Sequence, residues 1–377
     1  MAKRQAADGH RTSGGGAGPD TYAVILAGGR GERFWPLSTA AHPKQTVDLI
    51  GGKSLIRQAV ERLDGFIPPD RIYVITGESL VAPLRAALPE LKPDQVIGEP
   101  VGRDTAAACA LGTALVRARN PQAVACVVTA DHVMYDIPVF QQTLREAAGL
   151  AAHEPRIVTI GIVPTFPSTG FGYIEAGEGL ATGGAIEMAA ARRFVEKPDA
   201  SRARQYVLAG NYFWNAGMFV WSTATFEQAL EKHRPALLPL YRDALAAGAG
   251  PALGGVMAAH YPGLEKISID YAVMERADNI AVARGTFRWY DVGSWPAVAD
   301  HFPADADGNV CVGRCVTLGA GANIAVSRER LTALVGVRDL VVVQAPNATL
   351  VCARDRAQDV RALVRQLEAA GGNADVL

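Results

Sequence analysis

The residues best placed to do chemistry follow an apolar, β-branched run that ends abruptly in glycine. Residues 22–26 form this run, which is followed by Gly28, Gly29 and Gly31, then by Arg33 and, eleven residues later, by Lys44. Glycine lets a backbone approach a ligand at dihedral angles that a Cβ would forbid. A strand that ends in such a loop is typical of an anion site lined by backbone N–H groups. The chemistry that this pattern predicts is the handling of phosphate.

Two better-known glycine loops do not fit the same residues. A dinucleotide-binding fingerprint needs a third glycine where this chain has Phe34, so close packing of a helix on the strand is not available. Gly52-Lys53-Ser54 resembles the end of a Walker A loop, but Val47 occupies the position of its first glycine. We interpret that segment as a turn followed by a helix N-cap.

Composition bounds the remaining possibilities. With 377 residues, 49% of them apolar, the chain can bury the core of one large domain and one smaller domain. A net charge of −1 argues against nucleic acid or an anionic membrane as a partner. Residues 1–20 are polar and glycine-rich, which predicts a disordered tail rather than a signal peptide or an anchor. Five cysteines without a CxxC pair predict buried thiols in a reducing cytoplasm.

Strand and helix patterns alternate from Tyr22 to about Leu150. Near-continuous apolar strands separated by helices predict a parallel sheet that is covered on both faces. Ligands of such sheets bind beyond the carboxyl ends of the strands, where Gly28 and Asp131 both fall. The expected fold class is α/β, with a Rossmann-like mixed, mostly parallel sheet and helices on both faces. We expect this catalytic domain to cover residues 21–303.

The character of the sequence changes after Gly308. The pairs Val312-Gly313, Leu318-Gly319 and Ile324-Ala325 recur every six residues, which predicts short turns of a small left-handed β-helix-like module. A helical tail follows in which Val360, Leu363, Val364 and Leu367 share one face. We expect this module, residues 304–377, to steady the catalytic domain or a dimer and to contain no site residue.

Several motifs, taken together and in order, resemble those of the sugar-nucleotide pyrophosphorylases, and specifically the mannose-1-phosphate guanylyltransferases. They are the loop from Leu26 to Ser38, Pro43-Lys44-Gln45, and the segments 98–107, 168–174, 194–198, 214–219, 268–275 and 289–295. The resemblance covers roughly residues 22–370 and implies that GTP and mannose 1-phosphate give GDP-mannose and pyrophosphate. This chain has Glu32, Asp104 and Phe171 where the family usually has Thr, Asn and Tyr.

The resemblance also implies a nucleotide site. Arg33 and Lys44 would hold the leaving pyrophosphate, and the other residues implied to contact the nucleotide are Leu26, Gly28, Gly29, Gly31, Glu99, Gly102 and Thr105. Gly102 and the following helix N-terminus would lie under the base, and backbone carbonyls, or Glu99 if it faces the base, could accept from guanine N1 and N2. The purely structural alternative is that Asp104 or Thr105 caps that helix.

A sugar site is implied by later motifs. Gly172 belongs to the segment implied to contact the sugar, Glu196 would accept hydrogen bonds from sugar hydroxyls, and Asn215 can both donate and accept. Lys197 would face the sugar phosphate and orient it. The alternative for Glu196 and Lys197 is a solvated pair that contributes little.

Two carboxylates could hold a metal ion. Asp131 ends an apolar strand and Asp291 follows an aromatic run far along the chain. Mg²⁺ bound to a triphosphate needs only one or two carboxylates, because phosphate oxygens and waters complete its octahedron. The alternatives are a turn residue for Asp131 and a helix-start residue, before Ser294, for Asp291.

The implied reaction suits these residue types. A sugar phosphate is already ionised at neutral pH, so its attack on an α-phosphorus needs neither a nucleophilic side chain nor a strong base. Other readings stay open: another pair of nucleotide and sugar phosphate, or an inactive regulatory relative. A nicotinamide dehydrogenase would share the sheet but lacks the third glycine. We expect a cytoplasmic protein that forms a homodimer.

Overall fold

The structure is a computed structural model that describes residues 18–40, 42–373 and 375–377. The predicted disordered tail, residues 1–20, therefore lies outside the described residues except for positions 18–20. Within the described part of the chain, no helix combines the length and the apolar character that crossing a membrane requires.

The described residues form fifteen strands and ten α-helices. The strands are β1 Thr21–Leu26, β2 Ile72–Gly77, β3 Val96–Glu99, β4 Val124–Thr129, β5 His132–Met134, β6 Ile157–Ile162, β7 Tyr173–Leu180, β8 Met188–Val195, β9 Tyr212–Ser222, β10 Ile280–Gly285, β11 Trp289–Asp291, β12 Val310–Leu318, β13 Ile324–Val335, β14 Leu340–Gln344 and β15 Thr349–Ala353. The helices are α1 Leu55–Glu61, α2 Val81–Ala87, α3 Asp104–Arg119, α4 Ile137–His153, α5 Ala200–Ala209, α6 Thr223–His233, α7 Leu238–Ala247, α8 Leu253–His260, α9 Trp295–Ala299 and α10 Val360–Ala370.

Nine strands form the main sheet, in the order β3-β2-β1-β4-β9-β6-β10-β8-β7. The first four strands of this order are parallel, as the sequence predicts. Strand β1 illustrates burial on both faces of the sheet, because its successive side chains enter two different apolar clusters. Ala23 and Ile25 join one apolar cluster, and Tyr22 and Val24 join the other. Helices therefore cover both faces, which confirms the predicted α/β class.

The other half of the sheet is more mixed than the apolar runs suggest. Strand β9 pairs antiparallel with β4, β6 and β7, and β8 pairs antiparallel with β7 and β10. Only β6 and β10 are parallel neighbours there. The long β7–β8 hairpin and the central β9 position the segments 172, 196–197 and 215 at the same edge as the carboxyl end of β1.

A small second sheet brings distant parts of the chain together. Strand β11 pairs antiparallel with β5, and the register places Asp291 opposite His132. The residue before His132 is Asp131, so the two predicted metal ligands lie at the same end of this pair of strands. Tertiary pairing thus provides the proximity that the sequence could only suggest.

The C-terminal module, which we define as β12–β15 with α10, forms a separate four-stranded sheet. Strands β12, β13 and β14 are parallel, and β15 is antiparallel to β14. Val310, Ile324 and Val341 are aligned on the three neighbouring parallel strands. The strands therefore do not have the six-residue repeat that the spacing of the apolar pairs predicts. Leu318 illustrates this, because it stands at the end of β12 with its side chain exposed. The expectation of buried thiols is confirmed for Cys109 and Cys126 and is wrong for Cys311, which is exposed, while Cys315 and Cys352 are half-buried.

A third apolar cluster joins this module to the start of the catalytic domain. Phe34 and Trp35, just after the glycines, are buried together with Val360 and Val364 of α10. The Trp35 indole N–H also donates to the carbonyl of Val376 at 2.8 Å. The predicted role of the module in steadying the catalytic domain therefore has a direct structural basis.

Candidate active site

A cleft of about 810 Å³ opens at the carboxyl ends of the parallel strands. Ten of the residues that the sequence singled out line it: Leu26, Gly28, Gly29, Gly31, Arg33, Lys44, Glu99, Gly102, Thr105 and Asp131. Its position agrees with the rule that ligands of open α/β sheets bind beyond the strand ends. The remaining predicted residues lie beside it and are described below.

The glycine loop, residues 27–33, follows β1 directly. Gly29 and Gly31 have φ values of 94° and 66°, which L side chains rarely adopt. A Cβ on Gly31 would lie 2.3 Å from the Cβ of Lys44. Glycine at position 31 is therefore required both for the backbone conformation and for the close approach of Lys44.

Gln45 holds the loop in place, a role that the sequence reading missed. Its side-chain amide donates to the carbonyls of Ala27, Gly28 and Gly29 at 3.3, 2.9 and 3.0 Å. Across the described residues, no acceptor occupies the N–H groups of Gly28 and Gly29. The loop thus keeps backbone donors free for an anion. The one available signal was its place next to Lys44 in the Pro43-Lys44-Gln45 motif.

Lys44 is buried and connects the loop region to the predicted metal ligands. Its Nζ donates to Asp131 Oδ2 at 2.8 Å and to the carbonyl of Val292 at 3.0 Å. Burial raises the pKa of Asp131, but the charge of Lys44 and its hydrogen bond lower it more strongly, so that this pKa falls to about 2. Asp131 is therefore an anion throughout the physiological range and is fixed in position by Lys44.

The neighbourhood of Asp291 suits a hard cation. Arg33 Nη1 donates to the carbonyl of Gly293 at 3.3 Å, close to Asp291. In the described part of the chain, no hydrogen bond uses the Asp291 carboxylate, so its oxygens are available to a ligand. No group of three or more potential metal-ligating side chains occurs among the described residues. A pair of carboxylates beside a phosphate site fits Mg²⁺, which takes few protein ligands.

His132 is structural here. The Trp289 indole N–H donates to His132 Nδ1 at 3.1 Å, so this nitrogen carries no proton. Burial also lowers the pKa of His132. A neutral ring packed edge-on against Trp289 fixes the β5–β11 pairing and, with it, the positions of Asp131 and Asp291.

Glu99 is a buried carboxyl at the far end of the cleft from the glycines. It is 8% exposed, and its Oε1 has no hydrogen-bond partner among the described residues. Burial raises the pKa of Glu99 to about 7. The buried Tyr261 hydroxyl lies beside this carboxyl and partly opposes that increase. A buried acceptor on the lining of the cleft fits the predicted contact with the N–H groups of a base.

The segment before α3 departs from the predicted capping. Helix α3 begins at Asp104, and its N-cap position is Arg103, without a side-chain cap. The hydroxyl of Thr105 instead accepts from the backbone N–H of Ile269 at 2.9 Å. Thr105 therefore does not cap the helix, because tertiary contact with the segment around Ile269 uses its hydroxyl oxygen. The Asp104 carboxylate, by contrast, accepts from the backbone N–H of Thr105 at 2.8 Å and so satisfies one first-turn amide, as the capping alternative expects.

The sugar-side residues of the prediction come together next to this cleft. A Cβ on Gly172 would lie 2.4 Å from Glu196 Oε2 and 3.2 Å from the Cβ of Asn215. Lys197 Nζ donates to Glu196 Oε1 at 2.7 Å. Burial lowers the pKa of Lys197, but the bond to Glu196 raises it above its usual value. Lys197 therefore stays charged, although it does not line the 810 Å³ cleft.

Asp270 joins the two sets of residues, and no site role was predicted for it. It lines the cleft and accepts from Asn215 Nδ2 at 2.9 Å. Burial and then the charge of Glu196 raise the pKa of Asp270 to about 6. Asn215 Oδ1 accepts from the N–H of Gly217 at 3.0 Å, which fixes the orientation of its amide. The predicted Ser268-capped helix is a short π-helical turn, Asp270–Met274.

The C-terminal module also reaches the cleft. Arg361 of α10 lines it together with Glu32 of the glycine loop, and Arg361 Nε donates to Glu32 Oε2 at 2.9 Å. The expectation that this module holds no residue at the site is wrong. Sequence distance concealed the contact, because α10 returns to the loop only through the third apolar cluster.

Comparison with known proteins follows the same division of the chain. Residues 22–308 match the Nucleotidyl transferase family, and residues 313–367 match the MannoseP isomerase/GMP-like beta-helix domain. The chain is 36% identical to a mannose-1-phosphate guanylyltransferase of Escherichia coli strain K12 over 93% of its own length and 74% of that protein. It is 37% identical to an enzyme of the same name from Klebsiella pneumoniae, over 92% of this chain and 73% of that protein.

A solved structure is similar over almost its full length. It is described as a mannose-1-phosphate geranyltransferase from Thermus thermophilus, with a TM-score of 0.82 and 36% identity. The match covers 93% of this chain and 99% of the other.

Proposed function

Because the chain belongs to the Nucleotidyl transferase family, as a mannose-1-phosphate guanylyltransferase, we propose how its own residues make GDP-mannose. The reaction joins GTP and mannose 1-phosphate and releases pyrophosphate. The observation that carries the residue roles is the meeting of the glycine loop, Arg33, Lys44 and Asp131 in one cleft. Asp270 connects that cleft to the predicted sugar residues through Asn215.

The chemical step is an in-line displacement. An anionic oxygen of the sugar phosphate forms a bond to the α-phosphorus of GTP. The bond from that phosphorus to the bridging oxygen of the β-phosphate breaks, and its electron pair leaves with pyrophosphate. No proton has to be removed, since the attacking oxygen is already ionised. The obstacle is the approach of one anion to another.

Positive charges in fixed positions reduce this repulsion between the two anions. Two unit charges about 4 Å apart interact by about 4 kcal/mol at an effective dielectric constant near 20. Arg33 and Lys44 are placed to stabilise the charge of the leaving pyrophosphate, and the free N–H groups of Gly28 and Gly29 add hydrogen bonds. Lys197, held by Glu196, would orient the sugar phosphate for attack.

Asp131 and Asp291 would hold Mg²⁺. Their charge, their hard oxygen donors and the uncommitted Asp291 carboxylate support this assignment. When bound, Mg²⁺ adds positive charge beside the phosphates and aligns their oxygens. The contribution of the chain is to keep Asp131 ionised and to fix both carboxylates through Lys44 and the β5–β11 pairing.

Glu99 is the proposed reader of guanine. Guanine presents N–H donors at N1 and N2, and the unpaired Glu99 Oε1 is a buried acceptor at the end of the cleft. Adenine would leave that acceptor without a donor, which costs about 1–3 kcal/mol. Glu99 therefore offers a physical reason for a preference for guanine. The glycine loop cannot provide one, because it would contact only the phosphates.

Pyrophosphate release tests the function directly. We expect release with GTP and mannose 1-phosphate in the presence of Mg²⁺, and much lower kcat/KM with ATP, UTP or dTTP, or with glucose 1-phosphate. Comparable kcat/KM for ATP and GTP would overturn the guanylyl assignment and leave the nucleotidyl transfer intact. No release with any pair would favour the regulatory alternative.

Two further expectations belong to this proposal. A homodimer and a cytoplasmic location stay predictions. Sedimentation of the purified chain would measure its oligomeric state.

A further inference from the structure

Two ion pairs connect the glycine loop to α10. Arg30 pairs with Glu368, and Glu32 pairs with Arg361 at 2.9 Å. Positions 361 and 368 lie two turns apart on the same face of the helix. In one pair the loop supplies the cation and the helix the carboxylate, and in the other pair these charges are reversed. Only one register of the helix against the loop satisfies both pairs.

Arg361 has more donors than its partner uses. Its Nε donates to Glu32, whereas neither Nη group has a hydrogen-bond partner among the described residues. The side chain is 52% exposed and lines the same cleft as Arg33 and Lys44. A guanidinium has five donors in a planar fork, so it can hold a carboxylate with one edge and still offer donors to a phosphate.

Glu32 creates a specific electrostatic problem. It places a carboxylate, only 16% exposed, in a loop that has to receive a triphosphate. Uncompensated, that charge would repel the ligand. Exposed ion pairs usually contribute little to stability, so holding α10 in place is a weak reason for the pair. Neutralising Glu32 while presenting the Nη groups to the cleft is a stronger one.

We propose that Arg361, contributed by the C-terminal module, binds the β- and γ-phosphates of the nucleotide and the pyrophosphate formed from them. This inference rests on the proposed function, since it concerns the same cleft. Glu32 is then a positioning residue that orients the guanidinium. The nucleotidyl transferase part of the chain alone would lack one of its phosphate-binding cations.

Arg361→Gln tests the contact. Loss of a charge-assisted hydrogen bond should raise KM for GTP, and for pyrophosphate in the reverse reaction, by about 10-fold or more. KM for mannose 1-phosphate should change by less than about twofold, because that substrate does not carry the β- and γ-phosphates. Arg365→Gln makes the same charge change one turn along α10, at a residue that does not line the cleft, and should leave all three constants unchanged.

Glu32→Gln separates binding from positioning. The amide keeps an acceptor for Arg361 Nε but removes the negative charge, so we expect KM for GTP to fall. If Arg361 acted only by fixing the loop through its ion pair, both neutralising variants would raise that KM alike. That result, or an unchanged KM for pyrophosphate in Arg361→Gln, would overturn the proposal. Arg361→Lys should recover only part of the affinity.

Calorimetric titration with pyrophosphate makes the test independent of turnover. The Arg361→Gln chain should bind pyrophosphate about 10-fold or more weakly than the wild type. Equal binding would overturn the inference even if the wild type proved inactive. Failure of the wild type to release pyrophosphate from GTP and mannose 1-phosphate would instead count against the proposed function alone.

Discussion

The phosphate side of the site is organised around a buried lysine at the edge of the sheet, whereas the sugar side contains two neighbouring carboxylates. We define the phosphate side as the glycine loop with Lys44 and Asp131, and the sugar side as Gly172, Glu196, Lys197, Asn215 and Asp270. Lys44 bonds to a carboxylate and a backbone carbonyl. Burial and then the charge of Glu196 raise the pKa of Asp270.

This difference follows from what each side would bind. A triphosphate brings negative charge, so its site needs cations and free N–H groups that are already in place. Sugar hydroxyls bring no charge and can donate, so a cluster of acceptors suits them. The phosphate side is therefore expected to govern turnover, and the sugar side to govern the use of mannose 1-phosphate.

Lys44→Ala should have the largest effect. It removes a cation whose attraction to a phosphate charge about 4 Å away contributes about 4 kcal/mol at an effective dielectric constant near 20. We therefore expect kcat/KM to fall by about 1,000-fold for both substrates. Lys53→Ala is the matched control, because that lysine pairs with Glu61 at an exposed site. Pyrophosphate release measures both variants, and circular dichroism checks that they fold. A loss of less than tenfold would place the essential charge elsewhere.

Asp291→Ala should lower kcat by about 100-fold at limiting Mg²⁺, by removing one of two ligands and the alignment of the phosphates. More Mg²⁺ should restore part of the activity. Asp300→Ala, at an exposed position of the same segment, should behave as the wild type. Wild-type turnover of Asp291→Ala at limiting Mg²⁺ would show that Asp291 is not a metal ligand.

Lys197→Ala should separate the two sides. We expect kcat/KM for mannose 1-phosphate to fall by about 30-fold, because one charged contact to the sugar phosphate is worth about 2 kcal/mol. GTP binding, measured by calorimetry, should change little. An equal loss of affinity for GTP would mean that Lys197 serves both substrates and that the division described above is too sharp.

Glu99→Gln should reduce base selectivity. The ratio of kcat/KM for GTP to that for ATP should fall by about tenfold, since the amide is a weaker acceptor and carries donors that adenine can use. Glu78→Gln, a neutral change on the neighbouring turn after β2, is the control. In the wild type, GTP selectivity should rise with pH through about 7, as Glu99 ionises. A selectivity that does not depend on pH or on this substitution would exclude Glu99.

Asp270→Asn should have the smallest effect, on stability. The folded-state pKa of Asp270 is about 6, above its usual value of 3.8. The native state therefore binds more protons than the unfolded state between these values, so this group lowers stability as pH rises through that window. The variant should gain about 2–4 °C in Tm over the wild type at pH 7.5 but not at pH 4. Asp278→Asn should show no gain at pH 7.5, because its pairing with Lys232 lowers the pKa of Asp278.

The sequence by itself determined the parts of the site that depend on local chemistry. Glycine at positions 29 and 31 has positive φ, so the residue type alone predicted the loop. Apolar runs predicted strands β1, β2 and β4, and Ser54 predicted the cap of α1, which its hydroxyl forms with Arg57 N–H. These features depend on backbone sterics and short-range hydrogen bonds, which act within a few residues.

The tertiary structure alone decided which distant groups meet. Gln45 reaches the loop carbonyls, Asp270 lines the cleft, and Arg361 comes from the C-terminal module. Gln45 and Asp270 lie in motifs that the sequence shows, but their contacts depend on the fold, and no local pattern marks Arg361. Pairing of β5 with β11 sets Asp291 opposite His132. Burial then tunes the carboxyls, because it raises the pKa of Glu99 and Asp270 while Lys44 keeps that of Asp131 low. Desolvation and charge proximity are properties of the packed fold, so residue order cannot specify them.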